Sequence, residues 1–184
     1  MTTIISMLRG VNVGGHNQIK MDALRALYES LGLLDPQTYV QSGNVVFGTK
    51  DRDLVQLSQR IEKAIRQKFS FRPGVILRTS SELNDVITKS PFAERRGIEP
   101  GKLMVVFFNE EPGEDDYGLL QRVKAEGEEV HANGREVYLY FPNGAGRSKL
   151  FAAIGKLKKT GTSRNWNTVT KLLEMAEKLG SGAV

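Results

Sequence analysis

The chain has 184 residues and a mass of 20.4 kDa, with 40% hydrophobic and 26% charged residues, a balance that supplies a buried core and excludes a disordered chain. Cysteine is absent, which removes disulfides, thiolate metal sites and cysteine nucleophiles together, and two histidines, His16 and His131, are too few for a zinc centre. The net charge of +5 is uneven, with 15 basic against 10 acidic residues in 1–109, 3 against 9 in 110–144, and 8 against 2 in 145–184.

No apolar run reaches the roughly 18 residues that a membrane span requires. Positions 1–9, MTTIISMLR, place an apolar stretch first, with no basic region before it and no small-residue cleavage site after it. They read as a first strand and not as a signal peptide, so a soluble, cytoplasmic protein with no membrane partner is expected.

In chain order, residues 3–8 form an apolar strand and a glycine-rich loop follows to about Lys20. Met21, Leu24, Leu27 and Leu31 then recur at helical spacing, and Gly32 supplies a stop signal. TYVQ and NVVF flank Ser42 and Gly43, which read as a two-residue hairpin turn. Leu54, Leu57, Ile61, Ile65 and Phe69 mark a second amphipathic helix, and residues 75–78 a fourth strand. Strand, helix, strand, strand, helix, strand is the split-βαβ, ferredoxin-like order.

A short helix over about 81–89 leads through Pro91 and a turn-rich linker to Gly101, and the same order begins again. Residues 102–108 read as a strand, and the acidic run Glu110, Glu111, Glu114, Asp115 and Asp116 as a solvated loop and helix start, with the helix at 117–124. EEVHA and REVYLY enclose Asn133 and Gly134, a strong hairpin signal. Leu150, Phe151, Ile154 and Leu157 make a further helical stripe, TGTS a brief strand, and Trp166, Val169, Leu172, Leu173 and Ala176 a final helix. The expected fold class is α+β, with two ferredoxin-like subdomains built on antiparallel sheets. Residues 1–90 hold the first with its linker helix, 91–101 the linker, and 102–184 the second with an extra C-terminal helix.

LRGVNVGG at 8–15, TYVQSGNVVF at 38–47, GRSKL at 146–150 and TSRNWNTVTKL at 162–172 together resemble a bacterial family known as domain of unknown function 1697. The resemblance covers essentially the whole chain and implies a pair of ferredoxin-like subdomains. Its defining positions are expected at Arg9, Gly10, Asn12, Gly14, Gly15, Gln41, Ser42, Gly43, Asn44, Ser148, Lys149, Thr162, Arg164, Asn165 and Trp166. It brings no activity with it, so function is argued from the residues.

The first loop, RGVNVGGHNQIK, lies between a strand and a helix, where phosphate loops occur. Gly10 and Gly15 have Walker spacing, but His16 and Asn17 stand where lysine and serine or threonine would meet phosphate and magnesium, so nucleotide hydrolysis by this loop is not expected. Arg9, Asn12, Gly14, Gly15 and Lys20 are its candidate ligand residues; the competing reading is that its glycines only satisfy left-handed backbone angles. The topology makes the first two strands parallel, which brings this loop to the same sheet edge as Gln41, Ser42 and Asn44. In the second half GAGRSK opens a helix after a strand, so Arg147, Ser148 and Lys149 join backbone N–H groups that face an anion. Thr162, Arg164 and Asn165 are expected at the same edge, although Asn165 or Ser163 also fits a helix cap and Trp166 a core position. The simplest arrangement has both edges bordering one cleft.

Two functions from different classes follow. The first is a module that binds a phosphate-bearing ligand, a nucleotide or nucleic acid, through these loops, consistent with a pI near 9.5. Against RNA, Tyr39, Phe47, Phe107, Tyr138 and Tyr140 alternate as core residues do and lack the aromatic pattern of an RNA-recognition sheet. The alternative is a small-molecule enzyme with an anionic substrate between the halves, held by Arg9, Lys149 and Arg164, with His16 handling a proton. No nucleophile elbow, paired-carboxylate motif or Ser-x-x-Lys is present, so no catalytic residue is assigned, and neither cofactor nor metal is expected.

Overall fold

A computed structural model describes residues 1–182. The elements run β1 (Thr2–Arg9), α1 (Met21–Ser30), β2 (Leu34–Tyr39), β3 (Asn44–Thr49), α2 (Leu54–Phe69), β4 (Gly74–Thr79) and α3 (Ser80–Thr88). They continue through a 3-10 turn at Pro100–Lys102 to β5 (Leu103–Phe108), α4 (Glu114–Val123), β6 (Glu129–Asn133), β7 (Glu136–Tyr140), α5 (Lys149–Ile154), β8 (Gly161–Asn165) and α6 (Trp166–Ser181). The chain divides into two compact units, Met1–Asn84 with the residues from Lys171 onward, and Asp85–Thr170. No helix among the described residues is long and apolar enough to cross a membrane.

Each unit has one four-stranded sheet with every neighbouring pair antiparallel, ordered β2-β3-β1-β4 and β6-β7-β5-β8. This is the split-βαβ order twice over, so the fold is α+β with two ferredoxin-like halves. In the first unit Ile4 and Leu8, Val45 and Phe47, and Val75 and Leu77 point to one face of the sheet. There they pack with Leu24 and Leu27 of α1 and Leu57, Ile61 and Ile65 of α2, the apolar faces of two helices whose spacing predicted them. Within that core the Ser6 Oγ and Tyr28 OH lie 2.8 Å apart, which satisfies both buried hydroxyls. In the second unit Val106, Phe108, Val137 and Leu139 pack with Leu120 of α4 and Leu150 and Ala153 of α5.

Several local expectations change. The β2–β3 connection spans Val40 to Gly43, four residues and not two, because Asn44 is buried and its Nδ2 reaches back to the Tyr39 carbonyl at 3.1 Å and the Ser42 Oγ at 2.8 Å. β2 also begins earlier, at Leu34, with a bulge before Gln37 that puts Asp35 at φ 44°. In the second hairpin Asn133 pairs with Glu136, so the turn is Gly134–Arg135, one residue later than the Asn-Gly signal suggested. α5 stops at Ile154, before Gly155, although Leu157 still packs on the core. TSRN lies within β8 itself and not after it, since Thr162 and Arg164 alternate as buried positions with half-buried Ser163 between them.

The acidic run is also not wholly solvated. Asp116 is 4% exposed, and its two carboxylate oxygens accept from the backbone N–H groups of Lys158 and Lys159 at 2.7 and 2.9 Å, pinning α4 to the segment before β8. Residues 91–101 pack within the second unit. Phe92 sits edge-on to His131 with ring centroids 5.4 Å apart, and Arg95 bonds both oxygens of Glu129.

Candidate functional site

β1 and β2 are both antiparallel to β3, so they run parallel and their C-terminal ends share one edge of the first sheet. The loop after β1 and the turn after β2 therefore meet there, as the topology predicted. Leu8 N–H donates to the Gly43 carbonyl at 2.9 Å, and Asn12 Nδ2 donates to the Gln41 carbonyl at 2.7 Å. The same Nδ2 donates to Ile19 O at 3.1 Å, and Asn12 Oδ1 accepts from Ile19 N at 2.8 Å. Asn12 thus imitates a strand residue toward Ile19 while fastening the loop to the turn. Its left-handed φ of 56° is one that asparagine tolerates. Asn17 Nδ2 adds a bond to Gly10 O, and a bridge between Val13 and His16 closes the tip.

The loop so tied borders a groove of about 780 Å³ lined by Asn12, Gly15, Gln18, Ile19, Lys20, Met21, Asp22 and Gln41. Four of the expected ligand residues, Asn12, Gly15, Lys20 and Gln41, come together here, while Gln18, Ile19, Met21 and Asp22 are additions. Sequence spacing held one clue to them, since all four flank Lys20. α1 begins in this groove, and its N-cap Lys20 supplies no side-chain hydrogen bond to the first turn. α2 differs, because Asp53 accepts from Val55 N and Gln56 N at its start. The uncapped N–H groups of α1 carry the positive end of its dipole into the groove, and the Lys20 ammonium, exposed and in no ion pair among the described residues, adds a full charge. Asp22 opposes them but is ion-paired with Arg25 on the next turn.

The other expected residues divide between bonded and exposed positions. Ser42 and Asn44 bond one another within the turn, Gly14 (φ 58°) is exposed at the loop tip, and Arg9 is exposed at the end of β1. In the second unit the Ser148 Oγ accepts from Leu150 N and Phe151 N, so the α5 N–H groups expected to face an anion are already occupied. Arg147 and Lys149 are exposed beside it. Arg164 is 8% exposed, and its guanidinium donates to Thr162 Oγ1 at 2.7 Å and to Ser163 O at 2.8 Å. Burial lowers its pKa to about 10. Asn165 Oδ1 accepts from Thr168 N at 2.8 Å and caps α6.

His16 is exposed at the loop tip. His131 Nε2 lies 2.9 Å from Glu129 Oε2, the carboxylate that Arg95 also holds. Burial by itself raises the Glu129 pKa, but the hydrogen bonds from His131 and Arg95 outweigh it and hold the carboxyl below its ordinary value. Among the described residues no group of three or more histidine, aspartate or glutamate side chains is placed to hold a metal ion.

The family model described as "Protein of unknown function (DUF1697)" matches residues 1–138, well over half of the chain, and the chain belongs to that family. A search of curated protein sequences returns no match. Among solved structures, the conserved bacterial protein SP0830 from Streptococcus pneumoniae superposes with a TM-score of 0.77 at 22% identity, over 95% of this chain and 98% of that one. At that identity the likeness establishes the fold.

Proposed function

We propose that this member of the family binds a phosphate-bearing ligand, a nucleotide or a nucleic acid, in the groove of the first unit. The observation that carries the reading is the meeting of an uncapped helix start with the Lys20 ammonium in one concave site of about 780 Å³. Gln18 and Gln41 add neutral hydrogen-bonding groups, and Gly15, at φ 80°, adds no side chain to the lining. The net charge of +5 favours encounter with anions. The ligand enters at the loop edge and not across the sheet face, because Phe47 of β3 is 0% exposed and presents no stacking platform.

Titration calorimetry with ADP and with a single-stranded DNA oligonucleotide tests this. A charge-assisted hydrogen bond contributes about 1.5–3 kcal/mol, so Lys20→Ala is expected to weaken binding of whichever probe binds by at least about tenfold, with thermal stability unchanged. Failure of both probes to bind, or equal affinity in Lys20→Ala, overturns the reading.

A further inference from the structure

We propose that the outer face of α2 is a docking surface for the phosphate backbone of a nucleic acid. It rests on the groove reading and adds a polyanion surface to it, and none of its residues lines that groove. Arg60, Lys63 and Arg66 are exposed at successive three-residue steps, a rise of about 9 Å along the helix, and exposed Arg52 precedes them. Gln56 and Gln59 continue the row toward Arg52, and a second concavity of about 690 Å³ follows it.

Of the three carboxylates near this face, only Asp51 neutralises one of its cations. Glu62, the one acidic residue of α2, bonds Arg72 at 2.7 Å and the Val75 N–H. Asp53 is spent capping the helix. Asp51 pairs with Arg60, and Arg52, Lys63 and Arg66 form no ion pair among the described residues. Like charges three residues apart on a helix repel, a cost that a bound polyanion relieves.

A membrane fits this face less well, because Leu57, Ile61 and Ile65 are buried in the core and Val55, at 68% exposed, is the only large apolar side chain that α2 exposes.

The test is the salt dependence of binding to a mixed-sequence single-stranded DNA oligonucleotide. The three unpaired cations, Arg52, Lys63 and Arg66, give a slope of log K against log salt of about −2.1, or about an 18-fold loss between 50 and 200 mM. The triple variant Arg60→Gln, Lys63→Gln, Arg66→Gln keeps good helix formers at exposed positions. Its slope should fall to about −0.7, leaving about a threefold loss over the same range, with an unchanged circular dichroism melt. An unchanged slope and affinity in the triple variant overturns the proposal, as does equal or tighter binding of the wild type to phosphatidylserine vesicles. ADP titration separates the two sites: loss of ADP binding in Lys20→Ala tests the groove alone, whereas the triple variant should bind ADP as the wild type does.

Discussion

Replacing Asn12 by alanine removes three hydrogen bonds at once, to Ile19 O, Ile19 N and Gln41 O. Each is worth about 0.5–1.5 kcal/mol net, and because the bond to Gln41 is exposed the sum belongs near about 2–3 kcal/mol. Alanine at a φ of 56° costs about 1 kcal/mol more, since its Cβ crowds the following carbonyl in the left-handed region. The expected loss is therefore about 3–4 kcal/mol for Asn12→Ala and about 1 kcal/mol less for Asn12→Gly, which loses the bonds but not the backbone freedom. Urea unfolding followed by far-ultraviolet circular dichroism reads the two totals. Amide exchange at Ile19 reads the local effect, because that N–H loses its acceptor in both variants. A loss under about 1 kcal/mol in Asn12→Ala, with Ile19 still protected, would refute the account of Asn12 as the fastener of loop to turn.

Gly43→Ala should cost about 2–4 kcal/mol by thermal melting, since φ is 74° and a Cβ there stands 2.8 Å from the Leu8 Cβ in the packed core; Gly134→Ala, with φ 58° and nothing within 4 Å, should cost only about 1 kcal/mol, and equal losses would contradict the packing argument. Glu129, lowered below its ordinary 4.5 in the fold, contributes stability that is fully present above that value and is lost as pH falls through the folded one. Glu129→Gln should consequently flatten the fall in urea midpoint below about pH 4.5, and an unchanged acid limb would remove the ion cluster with Arg95 and His131 as its cause.

Periodicity made the fold legible. The stripes in α1 and α2, and the strands between them, repeat in an order that admits one strand arrangement, and that arrangement by itself places Gln41 beside the first loop. What escaped was whatever depends on a single side chain turning back on the main chain. Asn12 and Asn44 look like ligand residues because they are polar and lie in loops, yet their amides are spent on Ile19, Gln41 and Tyr39. Asp116 lies in a run of five acids, and only its neighbours in space distinguish it from Asp115, which is exposed and pairs with Lys158. Arg164 reads as a loop cation when TSRN is placed after a strand, and as a buried donor once Thr162 and Arg164 are seen to alternate within β8.

The residues that carry the family resemblance and those that carry charge into the groove are therefore largely different. Asn12, Gly43, Asn44, Ser148 and Asn165 hold backbone in place: a loop tie, a close approach, a turn and two helix caps. Lys20 and the cations of α2 belong to no distinctive motif, whereas Arg9, Arg147 and Lys149 are motif cations that stay exposed. Substituting those backbone-holding residues would register as lost binding only because the frame fails, which is why Lys20→Ala and the α2 triple variant, both at exposed positions, are the changes that separate contact from scaffold in the proposed reading.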